Sequence, residues 1–370
     1  MKVVSSLFML LSLAAVSAQE AWQASDTFGL LNSWNSVAYG DGVFIAVNGF
    51  GRIARSTDGG QSFTQVLNTG WIIEDVEYGS NGSTMAFWAT GRGGAGDFLY
   101  ESTDGGETWT DIAGNFSFPF TDGGADIVLD GDGKLIYTKL PGNNNYSDAF
   151  LYEGTYYVYG GGPESSIRTS ADGTDFTVAV DNSGLWLLGG IQLGSNALVY
   201  GTLFEEPGNF STRKGAIFEL TTDPTAPMNP VVIENSVNTY ISDIDMDPST
   251  PTTLYATGAN ALLTSTDSGA TWTVDSVASG NVADMSEMAV GDSSRVAVGA
   301  SGIVYIASGN GGGDTWGGLP KVDGYVDTGS WLGWLEVTES PWVYSLTLSG
   351  WLYFPEPEAS APGAWIYVLR

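Results

Sequence analysis

The sequence predicts an all-β fold of repeated four-stranded units, and three observations predict it. Gly reaches 51 of 370 residues, aromatics make up 12%, and helix signals are scarce. That is the composition of short strands joined by tight turns. An octapeptide recurs: Ser56–Phe63 reads STDGGQSF, Ser102–Trp109 reads STDGGETW and Ser265–Trp272 reads STDSGATW. Each copy follows short segments of alternating apolar character and precedes another, the period of half-buried strands.

The octapeptide is a turn that satisfies itself. Its Asp accepts hydrogen bonds from backbone N–H groups ahead of it, and its Ser or Thr adds a second local acceptor. Its Gly residues take positive φ at no steric cost. The closing Trp or Phe starts a strand and buries a large apolar face.

The units follow in order. The first runs NSVAYGDG (Asn35–Gly42), Val43–Val47, Arg52–Arg55, then the turn and Phe63–Leu67. The second runs EDVEYGSNG, STMAFWATG, FLYE, STDGGETW, TDI. The third ends in SADGTDF, Ser170–Phe176. In the fourth, IQLGSN, ALVYGTL and GAIFEL precede a decayed turn around Asp223. The fifth is ISDIDMDPST, TLYATG, ALLTSTDSGATW. The sixth is SEMAVGDSS, RVAVGAS, GIVYIAS and the distorted NGGGDTW, Asn310–Trp316. The anchors Asp58, Asp104, Asp172, Asp223, Asp267 and Asn310 lie 46, 68, 51, 44 and 43 residues apart. Four strands per 40–50 residues signal the blades of a β-propeller, six or seven in number. The long second interval predicts a surface loop around Pro141–Ser147.

The pattern S-x-D-x-G-x-T-W resembles the Asp-box, or BNR, repeat. That repeat occurs in sialidases, xyloglucan-active glycosidases, sortilin-type receptors and photosystem assembly factors. The resemblance covers Trp34–Leu319 and is fullest in the fifth unit. It implies a sialidase-like propeller whose boxes lie on the face away from the ligand site. Asp58, Asp104, Asp172 and Asp267 are then structural. One box serves unrelated activities, so the resemblance implies fold and not function.

The opposite face is built from the starts of the innermost strands: SVAYG, DVEYG, DIVLD, GIQLG, DIDMD and EMAVG. Their second and fourth positions are apolar, as one buried face requires. Their first positions are Ser36, Asp75, Asp126, Gly190, Asp243 and Glu287. Upstream stand Trp34, Trp71, Phe120, Trp186 and Tyr240, which this alignment places around the channel mouth as ligand platforms. Converging carboxylates raise one another's pKa or attract a cation. Two of Asp75, Asp126, Asp243 and Glu287 could serve a glycoside hydrolase as acid and base or nucleophile. Alternatively these acids bind backbone N–H groups and pin blades together.

The N-terminus reads as a secretory signal. Lys2 precedes an apolar run, and Val16 and Ala18 suit cleavage before Gln19, so residues 1–18 are removed. No later run reaches transmembrane length. The chain has no Cys, which excludes disulfides and a lipidated N-terminal cysteine and fits a bacterial envelope or extracellular setting. In a eukaryotic source, Asn81, Asn115, Asn145 and Asn209 would be glycosylation sequons.

A net charge of −30 excludes nucleic acid and anionic membranes as partners. The chain has no His, which removes Ser-His-Asp chemistry and His-bound zinc. Sialidases hold their substrate with three arginines and an Arg-Ile-Pro motif. Here GRIARS, Gly51–Ser56, lacks the Pro and abuts a box, so sialidase activity is not expected. DGDGK, Asp130–Lys134, resembles part of a calcium loop without its later ligands and reads as a hairpin turn. No cofactor is expected, and calcium is the one ion left open. GRGGAG, Gly91–Gly96, precedes no helix and is no dinucleotide fingerprint.

These readings give an Asp-box propeller over 19–324 and a Trp-rich β tail over 325–370. In the tail, Trp331, Trp334, Trp342, Trp351 and Trp365 alternate with polar or small residues. The tail resembles Trp-rich GWLY modules of bacterial secreted proteins, which implies surface attachment; the alternative is a final blade. The expected function is binding of a glycan or cell-surface partner, with a glycoside hydrolase or a structural envelope protein as alternatives. Nothing in the sequence bears on oligomeric state.

Overall fold

The computed structural model describes residues 22–25, 33–93, 96–115, 125–130, 132–139, 146–160, 167–180, 185–193, 196–204, 213–220, 230–232, 240–259, 261–275, 285–300 and 302–307. Toward the C-terminus it describes 315–316, 319–322, 325–327, 334–336, 342–345, 350–353 and 367–368. The signal segment, Phe120, the Asp223 turn, Asn310, Trp331 and Trp365 lie outside the described residues.

Two-residue turns set the register of the hairpins. Asp41 and Gly42 adopt φ of +49° and +77°, and Glu153 and Gly154 adopt +47° and +76°. Positive φ at both central residues matches the twist of the flanking strands. Seven antiparallel sheets result, each led by an inner strand: Trp34–Gly40, Ile72–Ser80, Ala125–Leu129, Tyr146–Tyr152, Leu185–Leu193, Ile241–Met246 and Met285–Val290. Each inner strand neighbours the next, and the seventh neighbours the first. Among the described residues the ring is therefore closed, a seven-bladed β-propeller.

The cores lie between blades. Trp34, Phe44 and Phe63 of blade 1 pack with Val296, Val298 and Ile303 of blade 7. Ile45, Val47 and Ile53 of blade 1 pack with Val76, Phe87 and Phe98 of blade 2. Each such side chain, fully buried, contributes about 1.5–3 kcal/mol over an exposed one.

Three expectations change. The long box interval holds a further blade: Ala125–Leu129 pairs with Leu135–Lys139 as a two-stranded sheet, and Tyr146–Val180 forms the next blade. The loop expected around Pro141–Ser147 thus ends in an inner strand beginning at Tyr146. The seventh blade takes its outer strand from the other end of the chain, Gln23–Ala24 on Ala297's partner strand Gly302–Ala307. Trp22 locks this strand: fully buried, it donates from Nε1 to Asp275 Oδ2 at 3.2 Å, and the Arg295 guanidinium lies 5.6 Å from its ring. The ring therefore closes without the C-terminal segment. From Thr315 the described strands form a further seven-stranded antiparallel meander ending at Val368.

Candidate functional site

At one end of the ring, every four-stranded blade opens its inner strand with a register shift. It falls between Trp34 and Ser36, Ile73 and Asp75, Tyr146 and Asp148, Leu187 and Gly189, Ile241 and Asp243, and Met285 and Glu287. Such a bulge re-aims the residues that follow it. After it, Asp75, Asp243 and Glu287 line the central channel, and Val37, Val76, Ile244 and Met288 are buried in the cores. In blade 5 the post-bulge residue is Gly189 rather than Gly190. In blade 4 it is Asp148, a position that reading the segment as a loop had hidden.

The channel encloses about 1390 Å³. Asp75, Asp126, Asp243 and Glu287 all line it, so the structure gathers the four predicted carboxyls. Glu77 and Asp245 line it too. Period two carries that signal: they stand two residues beyond Asp75 and Asp243, on the same strand face.

Several of these groups bond across blades. Asp126 accepts from its neighbour Ile127 N–H at 3.0 Å and from Ala149 N–H of blade 4 at 2.7 Å. Asp243 accepts from Met288 N–H of blade 7 at 2.8 Å and from the Tyr200 hydroxyl at 3.0 Å. Asp245 accepts from Val290 N–H at 2.7 Å. Ser36 accepts from Val76 N–H of blade 2 at 3.0 Å. A side chain on one inner strand thus takes a backbone donor from the next.

Withdrawal from water raises these carboxyls. Burial, then repulsion from Asp126, pushes Asp75 up to about 8. Burial raises Asp243 to about 6 against the pull of Met288 N–H. Burial, then the charge of Asp243, raises Asp245 to about 7. Glu77 and Glu287 are held well above the usual range by burial and then by Asp75. Among the described residues, no three acidic side chains converge as a metal-ligand set. Asp130 of DGDGK accepts from Asp132 and Lys134 N–H, closing a turn.

The platform residues separate. Trp34 is fully buried between blades 1 and 7, so its ring faces no ligand. Trp186 is half-buried, and Tyr240 lines the channel. Trp71 is 52% exposed at the link from blade 1 to blade 2. Its indole rests against Gly93, where an added Cβ would meet Trp71 Cγ at 3.1 Å. Its backbone N–H donates to Thr69 Oγ1 at 3.0 Å. Phe50 on the Asn48–Arg52 turn is 60% exposed, and Gly51 beside it approaches the Trp71 backbone closely. Arg92 Nε donates to Glu74 Oε2 at 3.0 Å on the same face.

The recurring turns lie at the far end and behave as their residues dictate. Asp104 accepts from the Ser102 hydroxyl at 2.7 Å and from Glu107 and Thr108 N–H at 3.1 and 2.9 Å. Asp58, Asp172 and Asp267 take equivalent partners. The Thr108 hydroxyl, followed by backbone donors, holds Asp104 down to about 2.

Fold and channel define the class as a β-propeller. No family model matches the chain. Over 107 residues it is 36% identical to a xyloglucanase of Hypocrea jecorina, a match spanning 28% of this chain and 11% of that enzyme. Among solved structures it resembles YCF48 from Cyanidioschyzon merolae, with 13% identity, 78% of this chain and 98% of that one covered, and a TM-score of 0.55. YCF48 bound to D1 peptide gives 17% identity, 77% and 96% coverage and a TM-score of 0.55. Virginiamycin B lyase from Staphylococcus aureus gives 12% identity, 77% and 98% coverage and the same TM-score. These likenesses carry the fold.

Proposed function

We propose that this chain is a secreted Asp-box propeller that binds a glycan or a glycan-bearing surface through its channel-mouth face. The observation that carries the reading is Trp71: a large aromatic, half exposed, its indole backed by Gly93 and its backbone pinned by Thr69. A flat ring held this way presents area at little entropic cost. Sugar rings offer apolar C–H faces to stack on it, and Phe50 extends the ledge. Glu74 and Arg92 supply an acceptor and donors for hydroxyls beside it. The short likeness to a xyloglucanase points the same way. The negative field disfavours uronic or sialic acids and leaves neutral or amine-bearing sugars. Export through residues 1–18 brings the protein to such surfaces, and the Trp-rich tail is an attachment module.

A second reading rests on a separate observation. Asp75 and Glu287 both contact Ser36 Oγ, at 2.9 and 3.1 Å, so a carboxyl pair stands at the mouth, as a glycoside hydrolase requires. One experiment divides the readings. The mature protein, starting at Gln19, is run through gels containing plant, algal and microbial polysaccharides and assayed for reducing ends. Retardation without release is expected. Release that vanishes in Asp75→Asn or Glu287→Gln would make the protein a hydrolase. Neither retardation nor release on any polysaccharide would overturn both and leave a structural or protein-binding propeller, the role that a peptide-bound neighbour illustrates.

A further inference from the structure

We propose that Asp75 and Glu287 share a single proton through Ser36, so that the mouth holds one carboxylic acid and one carboxylate joined by a hydroxyl at neutral pH. The argument is a count of protons and lone pairs. Ser36 is 1% exposed and bulk water does not serve it. Its oxygen already accepts from Val76 N–H at 3.0 Å, which leaves one O–H and one lone pair. Three acceptor oxygens surround it: Asp75 Oδ1 at 2.9 Å, Glu287 Oε1 at 3.1 Å and Val76 O at 3.3 Å. One proton cannot serve both carboxyl groups. If both were ionised, one carboxylate oxygen would face a lone pair at hydrogen-bond distance. If one is protonated, it donates to the free lone pair while the Ser36 hydroxyl donates to the other. Both carboxyl groups then have a partner on Ser36, and a second acid proton would find no lone pair left on that oxygen.

The surroundings favour keeping that proton. Glu74 and Glu77 stand on the Asp75 strand, Asp126 on the blade 3 inner strand, and Asp243 and Asp245 on that of blade 6. The nearby cation, Arg92, is bound to Glu74. From blade 1 the Ser36 hydroxyl is the group in contact. Burial and this like charge raise both Asp75 and Glu287.

The sign of the pH effect follows. A carboxyl raised in the folded state stabilises fully below the unfolded value, about 4. That contribution is lost as pH rises through the folded value, about 8 for Asp75. Asp75→Asn and Glu287→Gln each put a permanent donor where the acid stands. The test measures melting temperature from pH 5 to 9 for wild type, each single variant and the double, with infrared spectra of the acid carbonyl stretch at pH 7. Each single variant is expected to flatten the alkaline fall. The double is expected to gain no more than the better single, because the pair holds one proton and one charge. The wild-type spectrum should exceed that of the double by one acid band. Additive gains, or no acid-band difference at pH 7, would overturn the proposal. Should the double fail to fold, the band difference between wild type and Asp75→Asn or Glu287→Gln decides it: at least one must lose a band.

Discussion

The propeller carries acidic side chains at both ends and satisfies them in opposite ways. At the box-turn end, Asp58, Asp104, Asp172 and Asp267 find their donors within four residues. At the mouth, Asp126, Asp243 and Asp245 reach N–H groups on another blade, 23 to 45 residues away. Local donors arrive with the turn and hold the charge in water. Distant donors arrive only when the ring closes, in a channel crowded with like charge. The same residue type is therefore held ionised by local donors at one end, and buried and raised, as at Asp243 and Asp245, at the other.

Both ends also pin blades, in opposite directions around the ring. The box turn reaches back: Gly106 of blade 2 touches Ile45 of blade 1, and Thr138 of blade 3 donates to Gly173 O of blade 4 at 2.8 Å. The mouth reaches forward, from Asp126 to Ala149 and from Asp243 to Met288.

The comparison breaks first where packing is tightest. In Gly106→Ala the new Cβ would stand 2.2 Å from Ile45 Cδ1, at a φ of +82°, and Ile45 is fully buried. Denaturant unfolding should show a loss of about 2–4 kcal/mol. Asp126→Ala should cost about 1–3 kcal/mol, because it strands Ala149 N–H. Asp126→Asn keeps an acceptor and should cost clearly less; equal costs would mean that charge, not the hydrogen bond, pins the blades. Ser102→Ala, which removes a buried hydroxyl donating to Asp104 and accepting from Gly106 N–H, should cost about 1–2 kcal/mol.

Acid titration sharpens the contrast without a large effect. Asp104 is depressed to about 2, so its contribution is present above about 4 and lost as pH falls through 2. The melting temperature of Asp104→Asn should lie below wild type at pH 6 and meet it near pH 2. A gap that persists at pH 2 would show that the carboxylate charge is not what the turn holds.

The box end was legible because its chemistry is contained in eight residues. Ser102, Asp104, Gly106 and Thr108 stand where any turn of that sequence places them. The inner-strand carboxyls were legible by alignment, because each blade repeats the same entry. What the alignment lost depended on contacts between distant segments. The strand at Gln23–Ala24 is too short for a period and pairs with residues some 280 positions later. The third blade, described as two strands, has no copy of the octapeptide in its sequence to announce it. Trp34 and Trp71 occupy similar sequence positions, yet one fills an inter-blade core and the other faces water. The blade 2 residue that matches Trp34 at the bulge is the buried Ile73, and Trp71 stands two residues further upstream, ahead of the strand. Glu77 and Asp245 were missed although period two places them beside Asp75 and Asp243.

The central claim is that the mouth, not the box-turn end, meets the ligand. The most direct measurement compares retardation by polysaccharide-containing gels of wild type, Trp71→Ala and Ser102→Ala, all confirmed as folded. Trp71 is half exposed, so Trp71→Ala should change stability by less than about 0.5 kcal/mol. The account predicts that Trp71→Ala migrates unretarded while Ser102→Ala, though less stable, is retarded like wild type. Undiminished retardation of Trp71→Ala would contradict it.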